Sequence, residues 1–235
     1  SFLHCQQIEI AMNHGKHVFC EKPLGTDVAQ CKAAEKVIEA HPDLIFQLGF
    51  MRRFDPDYIK MKKILDSGEL GAPLMAHCIS RTRSHPKNHT TEQHITNIAI
   101  HEIDICRWLL GDEYESAQVL KVRQSACSTK GYDNPQIVLL ETKSGARIDV
   151  EVQVADAYGY DIQCQVVCEK GTVNLPDPYA VVKRANASRS FPILTDWKDR
   201  FIEAYDIELT HWVKTLEEKG EPDGPSAWDG YAACV

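Results

Sequence analysis

Two short strand-like runs, His17 to Cys20 and Leu44 to Phe50, are separated by a helix-length segment with short connections on either side. Strands joined through a helix run parallel, and the helix must cover a face of the sheet they form. A third element precedes them. Phe2, Leu3, Ile8, Ile10 and Met12 give Ser1 to His14 an amphipathic helical pattern that ends near Asn13-His14-Gly15, where glycine can take a left-handed cap. Thr26 is the N-cap expected for the next helix, Ala29 to Ala40, which His41-Pro42 breaks. The order helix, strand, helix, strand predicts the C-terminal part of a Rossmann-type doubly wound α/β domain over 1–49. The chain opens inside one helical pattern, and AWDGYAACV stops inside another, so the expectation is a fragment of a longer protein.

The texture changes after a helix over about Asp57 to Asp66 and the turn Gly71-Ala72-Pro73. Leu74 to Arg81, Ala117 to Ser125, Ile137 to Thr142, Ala146 to Val154, Asp161 to Glu169 and Thr172 to Leu175 carry strand chemistry, with Lys143-Ser144-Gly145 and Lys170-Gly171 as turns. Arg147 to Val154 alternates polar and aliphatic residues, the pattern of an antiparallel sheet with one solvated face. Two helices, Asn97 to Leu110 and Trp197 to Lys219, interrupt the strands. Residues 50–235 are therefore read as an α+β domain built on a mostly antiparallel open sheet.

Composition excludes several classes of partner. With 235 residues and 43% apolar content the chain can bury a large core. A net charge of -8 without a cluster of Lys and Arg argues against nucleic acid and anionic membranes. No apolar run approaches the roughly 20 residues that span a bilayer, and SFLHCQQIEI has neither the basic start nor the apolar core of a signal peptide. Nine scattered cysteines without a C-x-x-C pair indicate neither a disulfide framework nor a zinc knuckle, and fit a reducing cytoplasm. His85, His89 and His94 share a polar loop but match no rigid ligand spacing, and H-E-x-x-H fails because Ile105 stands where the second histidine belongs. No metal is expected. Trp108, Leu109, Leu110, Trp197 and Trp212 are assigned to core packing.

The polar groups that could carry chemistry come from three segments. Lys22 follows Glu21 at the carboxyl end of the first strand, on the edge where α/β sheets bind ligands. Arg52 follows the second strand. Asn97 and His101 are four apart on one predicted helical face, with Asp104 three further on and most simply a cap or an ion pair.

Glu21-Lys22-Pro23, GFMRRFD from Gly49 to Asp55, IHEIDICRWLLGDEYES from Ile100 to Ser116 and YGYDIQC from Tyr158 to Cys164 extend across the whole chain. Asp196-Trp197, Ala204-Tyr205-Asp206 and Trp228-Asp229-Gly230-Tyr231 continue the pattern. With these motifs the sequence resembles the Gfo/Idh/MocA family of NAD(P)-dependent sugar and polyol dehydrogenases, and in detail its inositol 2-dehydrogenase branch. The resemblance implies oxidation of a secondary alcohol of a cyclic polyol or sugar, myo-inositol foremost, by hydride transfer to the nicotinamide of NAD, with NADP left open. It places Lys22 and His101 at the reacting hydroxyl, with Asn97 beside them. Arg52, Tyr160 and Tyr205 are placed against substrate, and Glu21 and Lys22 near the nicotinamide ribose. A homotetramer is also implied, the open sheet of the second domain offering the packing face.

Chemistry supports the lysine and histidine pair, because the hydroxyl proton must leave as the hydride does. A free lysine is neutral only about once in 2,500 molecules at pH 7, whereas histidine is mostly neutral. His101 is then the easier base, and both are assigned to proton handling without rank. The family usually carries aspartate where Asn97 stands; an amide can hydrogen-bond a hydroxyl or orient the imidazole but cannot neutralise an imidazolium. No G-x-G-x-x-G occurs in the chain, so the phosphate grip is expected upstream. Two other readings stay open: a regulatory or scaffolding homologue of impaired activity, and another sugar enzyme of the family.

Overall fold

The parallel pair, with strands of four residues each, is short and positions the most. In the computed structural model, which describes residues 3–83, 90–126, 132–176, 181–218, 220 and 222–234, the first half of the chain runs α1 (His4–Asn13), β1 (Val18–Glu21), α2 (Val28–Glu39) and β2 (Phe46–Gly49). β1 and β2 pair in parallel, Val18 opposite Phe46 and Glu21 opposite Gly49. Gly15 takes φ +66 after α1, as the cap reading expects. The N-cap of α2 is Asp27 rather than Thr26: the Asp27 carboxylate accepts from the Gln30 backbone N–H at 2.8 Å. An anion suits the positive end of a helix better than a hydroxyl does.

A 3-10 turn (Met51–Phe54) follows β2, then α3 (Pro56–Asp66), β3 (Pro73–Thr82), the single turn α4 (Thr91–Gln93), a π-helix (His94–Ala99) and α5 (Ile100–Leu110). β4 (Tyr114–Lys121), β5 (Gln136–Thr142), β6 (Arg147–Val154), β7 (Asp161–Cys168) and β8 (Gly171–Asn174) complete a six-stranded sheet of order β4-β5-β6-β3-β7-β8. β3 lies parallel to β6 and the other pairings are antiparallel, so the sheet is mixed. Alternation holds as expected: β5 and β6 bury every second residue, including Val138, Leu140, Ile148, Val150 and Val152. β4 ends at Lys121 rather than Ser125, because its partner β5 begins at Gln136; the Ser125 N–H then donates to Asn134 O, closing a loop.

The last elements are β9 (Lys183–Ala185), β10 (Ser188–Ser190), α6 (Trp197–Glu218) and α7 (Ala227–Ala232). The β9–β10 hairpin is absent from the sequence reading; Asn186 and Ala187 both take positive φ, the geometry of a two-residue primed turn. Trp197 is 41% exposed at the start of α6 and is not core, whereas Trp212 is 9% exposed. By contact the chain forms two units, one of Ser1–Asp55, Ile95–Ile105 and Glu203–Val235, the other of Pro56–His94 and Cys106–Ile202. The first unit packs Ile8, Met12, Cys31, Ala34 and Leu48 in its interior. Gly230 of α7 sits so close to β2 that a Cβ would lie 2.7 Å from Leu24 and from Leu48. The second unit buries one face of the six-stranded sheet.

Candidate active site

The register of β1 and β2 brings two chain exits to one edge of the first unit: Lys22-Pro23 after Glu21, and the turn carrying Arg52 and Arg53 after Gly49. Gly49 is needed for space. A Cβ there would stand 3.1 Å from the Glu21 carboxylate, which lies against the end of β2.

Lys22 Nζ donates to the Asn97 main-chain oxygen at 2.6 Å and to Asn97 Oδ1 at 3.0 Å. Asn97 lies in the π-helix His94–Ala99 and not in an α-helix beginning there, so the four-residue spacing to His101 is not an α-helical spacing. Its wider, i→i+5 turn is a form found at functional sites, and here it supplies a main-chain acceptor as well as an amide. His101 is the second residue of α5. It is half-buried, and its Nδ1 is buried with no hydrogen-bond partner among the described residues.

Arg52, 2% exposed, forms an ion pair through Nη1 with Glu102 Oε1 of α5. Arg53 forks onto Asp104, Nε to Oδ2 at 3.0 Å and Nη2 to Oδ1 at 2.5 Å, and Nη2 reaches Asp229 Oδ1 at 2.8 Å. Asp229 also closes a capping box with Ser226 at the start of α7. The ion-pair reading of Asp104 holds, and the charge that holds it is the neighbour of Arg52.

Burial and these charges set the protonation states. Burial lowers the Lys22 ammonium to about 8; Glu21 opposes the shift, Arg52 adds to it, and Glu102 opposes it. His101 is held well below the ordinary imidazole value, by burial first and then by the positive charges of Lys22 and Arg52. Burial raises the Glu21 carboxyl against the charge and the backbone hydrogen bond of Lys22. Burial opposes the ionisation of Asp229, but Arg53 and the hydrogen bonds from Ser226 hold its carboxyl at about 2. Glu208 of α6 is fully buried, and neither carboxylate oxygen has a hydrogen-bond partner among the described residues. Burial pushes it up to about 9, with the negative charges of Glu21 and Asp104 adding to the shift.

Lys22, Asn97, His101, Arg52 and Glu21 thus share the first unit and act on one another by hydrogen bond or charge. Tyr205 lies in the same unit, half-buried on α6, one turn before Glu208. Tyr160 belongs to the second unit, where its N–H donates to Leu194 O at 2.7 Å and its ring meets Phe201 edge-on. Gly159 before it permits that approach, since a Cβ would stand 2.7 Å from Leu194 O. Sequence reasoning missed Glu102 and Glu208. Glu102 was legible as an acid beside His101 complementary to a strand-end arginine; Glu208 had no signal in an otherwise amphipathic helix. Of the loop histidines, His94 is fully buried and takes a hydrogen bond from Tyr132 OH at 2.6 Å on Nδ1, with Nε2 3.2 Å from Val152 O. It is a core residue; His85 and His89 lie outside the described residues.

Residues 1–50 match the oxidoreductase-family model for the NAD-binding Rossmann fold, and residues 62–235 match that for the family's C-terminal alpha/beta domain. The chain belongs to the Gfo/Idh/MocA oxidoreductase family. The resemblance read from the motifs and the expected fold class are both borne out. Inositol 2-dehydrogenase of Burkholderia cenocepacia (strain HI2424) is 49% identical over 225 residues, covering 96% of this chain and 66% of the relative. That of Acidiphilium cryptum (strain JF-5) is 49% identical over 235 residues, covering 99% of this chain and 68% of the relative. The chain thus spans about two thirds of the length of the curated relatives it matches. Myo-inositol dehydrogenase from Lactobacillus casei, crystallised with NAD(H) and myo-inositol, superimposes with a TM-score of 0.95 at 36% identity, covering all of this chain and 70% of that one. Scyllo-inositol dehydrogenase from the same organism, with NAD(H) and scyllo-inositol, gives 0.90 at 26% identity, covering all of this chain and 72% of that one. No helix of the described residues is long and apolar enough to cross a membrane.

Proposed function

We propose that this chain carries the reacting end of an NAD-dependent inositol 2-dehydrogenase, which oxidises a secondary hydroxyl of a cyclic polyol, foremost myo-inositol to 2-keto-myo-inositol. NAD, when bound, accepts the hydride. Glu21 and Lys22, at the end of a strand in the segment that matches the NAD-binding family model, fit the nicotinamide side of that cofactor. This chain holds no glycine-rich phosphate grip.

One observation carries the reading: a half-buried lysine whose ammonium titrates near 8, hydrogen-bonded to Asn97 and within reach of the charge of His101. At pH 7 about one Lys22 in ten is neutral, against about one in 2,500 for a free lysine. His101 is neutral at the same pH but weakly basic. Lys22 therefore takes the hydroxyl proton, and the neutral imidazole hydrogen-bonds the substrate oxygen and holds it toward the amine. Asn97, in place of the family aspartate, receives the Lys22 N–H groups without adding a charge that would raise the lysine again. Arg52, locked to Glu102, keeps the Lys22 value down through its charge. Tyr160 and Tyr205 are proposed to contact substrate hydroxyls, and homotetrameric assembly in the cytoplasm completes the reading.

The test is reduction of NAD by the protein made from its full coding region, followed at the reduced-nicotinamide absorbance with myo-inositol, scyllo-inositol and glucose. Myo-inositol should give the highest kcat/KM. Cofactor binding without reduction by any polyol would sink the proposal.

A further inference from the structure

Three thiols meet in the interior of the second unit. Cys78 of β3 stands between Val150 of β6 and Cys164 of β7 in the sheet register. Cys106 comes from α5, between the fully buried Ile105 and the nearly buried Leu109 on that helix. Cys78 and Cys106 share a thiol hydrogen bond at 3.4 Å, and all three sulfurs lie within 4.8 Å of one another. Each of the three residues is 1–2% exposed.

A single buried cysteine is a small hydrophobe and asks for no ligand. Three from separate elements, with their sulfurs turned to one point, form a trigonal donor set. The surroundings decide which thiophile suits it. Zinc, cadmium or mercury(II) would require three thiolates and leave one net negative charge; copper(I) would leave two. An aliphatic interior penalises both. A trivalent centre leaves none.

We propose that Cys78, Cys106 and Cys164 form a binding site for a trivalent thiophilic metalloid, with arsenous acid as its ligand. The reaction is a condensation: three S–H and three As–O bonds break, three As–S and three O–H bonds form, and three waters leave. Arsenic stays trivalent, and no proton is released to solvent. Capture ties β3, β7 and α5 together, and the buried sulfurs make uptake wait for local opening of the helix from the sheet. The site is independent of the proposed dehydrogenase reaction.

The experiment incubates the reduced chain with sodium arsenite, removes free arsenic by desalting, and measures retained arsenic together with its X-ray absorption fine structure. The expected result is arsenic stoichiometric with the chain in a shell of three sulfurs, taken up slowly and faster in sub-denaturing urea. Cys106→Ala and Cys164→Ala, each checked for native circular dichroism, should lose the three-sulfur shell. Cys31 and Cys234, a second pair of neighbouring thiols, can offer only two sulfurs. A shell of two sulfurs or of oxygen in the unsubstituted chain overturns the proposal whether or not the variants fold. So does a three-sulfur shell that survives both substitutions, or tighter uptake of zinc or cadmium by the same thiols.

Discussion

The two units treat charge in opposite ways. In the first, ion pairs are interior: the side chains of Arg52 and Glu102 are 3% and 1% exposed, and those of Arg53 and Asp104 are 11% and 1%. In the second, the pairs Arg81–Glu151, Arg147–Glu141 and Lys121–Asp133 lie nearer solvent, and the interior is aliphatic residues and thiols together with hydrogen-bonded polar groups such as His94 and Asn134. A surface pair adds little to stability, while a buried pair carries a desolvation cost that its mutual attraction barely offsets. The first unit therefore does not hold its charges for stability. Their effect falls on Lys22 and His101, where burial comes first in lowering both and the positive charge of Arg52 adds to it.

Breaking the comparison starts with the pair proposed to handle the proton. Lys22→Ala and His101→Ala, assayed as NAD reduction in the protein from its full coding region, should each lower kcat/KM by about 100- to 10,000-fold; unchanged rates in both would remove the site. Glu102→Ala leaves Arg52 buried without its carboxylate and should cost about 3–5 kcal/mol in urea unfolding.

Glu208 gives a test in pH. Its folded value of about 9 is raised above the ordinary carboxyl value, so between about pH 5 and pH 9 the folded state holds a proton that the unfolded state has released. Stability must then fall as pH rises through that window, by up to about 1.4 kcal/mol per pH unit. Lys22, lowered in the folded state, acts in the opposite sense only above about pH 8. Below about pH 6.5 His101, lowered in the folded state, opposes this slope, and Glu21, raised, adds to it; the difference in urea midpoints between the protein and Glu208→Gln isolates Glu208, and equal slopes in both would contradict its burial as an acid. Asn97→Asp sets a carboxylate against the Lys22 ammonium and should move the ascending, acid-side limb of the pH–rate profile upward by about 1 unit or more. The smallest effect belongs to the second unit: Glu151→Gln on the solvated sheet should change stability by less than about 1 kcal/mol, and a loss comparable to that of Glu102→Ala would erase the contrast.

Much of this was legible in residue order. The strands bearing Lys22 and Arg52, the alternation of Arg147 to Val154 and the family motifs all depend on neighbours along the chain. Periodicity could not distinguish a π turn from an α turn at Asn97, because both place apolar residues inward at similar intervals, and only the main-chain pairing separates them. The spacing of cysteines also hid the thiol cluster: Cys78, Cys106 and Cys164 form no local motif, and only strand register and helix placement unite them.

The sequence by itself determined the parallel strand–helix–strand start, the change to an open sheet, the family, and the residue types at the candidate site, since each follows from local propensity and short-range pattern. Only the tertiary structure decided that Arg52 is bound to Glu102, that Lys22 rests on Asn97 and is lowered to about 8, and that Glu208 is buried as an acid. Those properties arise from burial and from charges brought together across tens of residues, and a pKa is set by what surrounds a group in space.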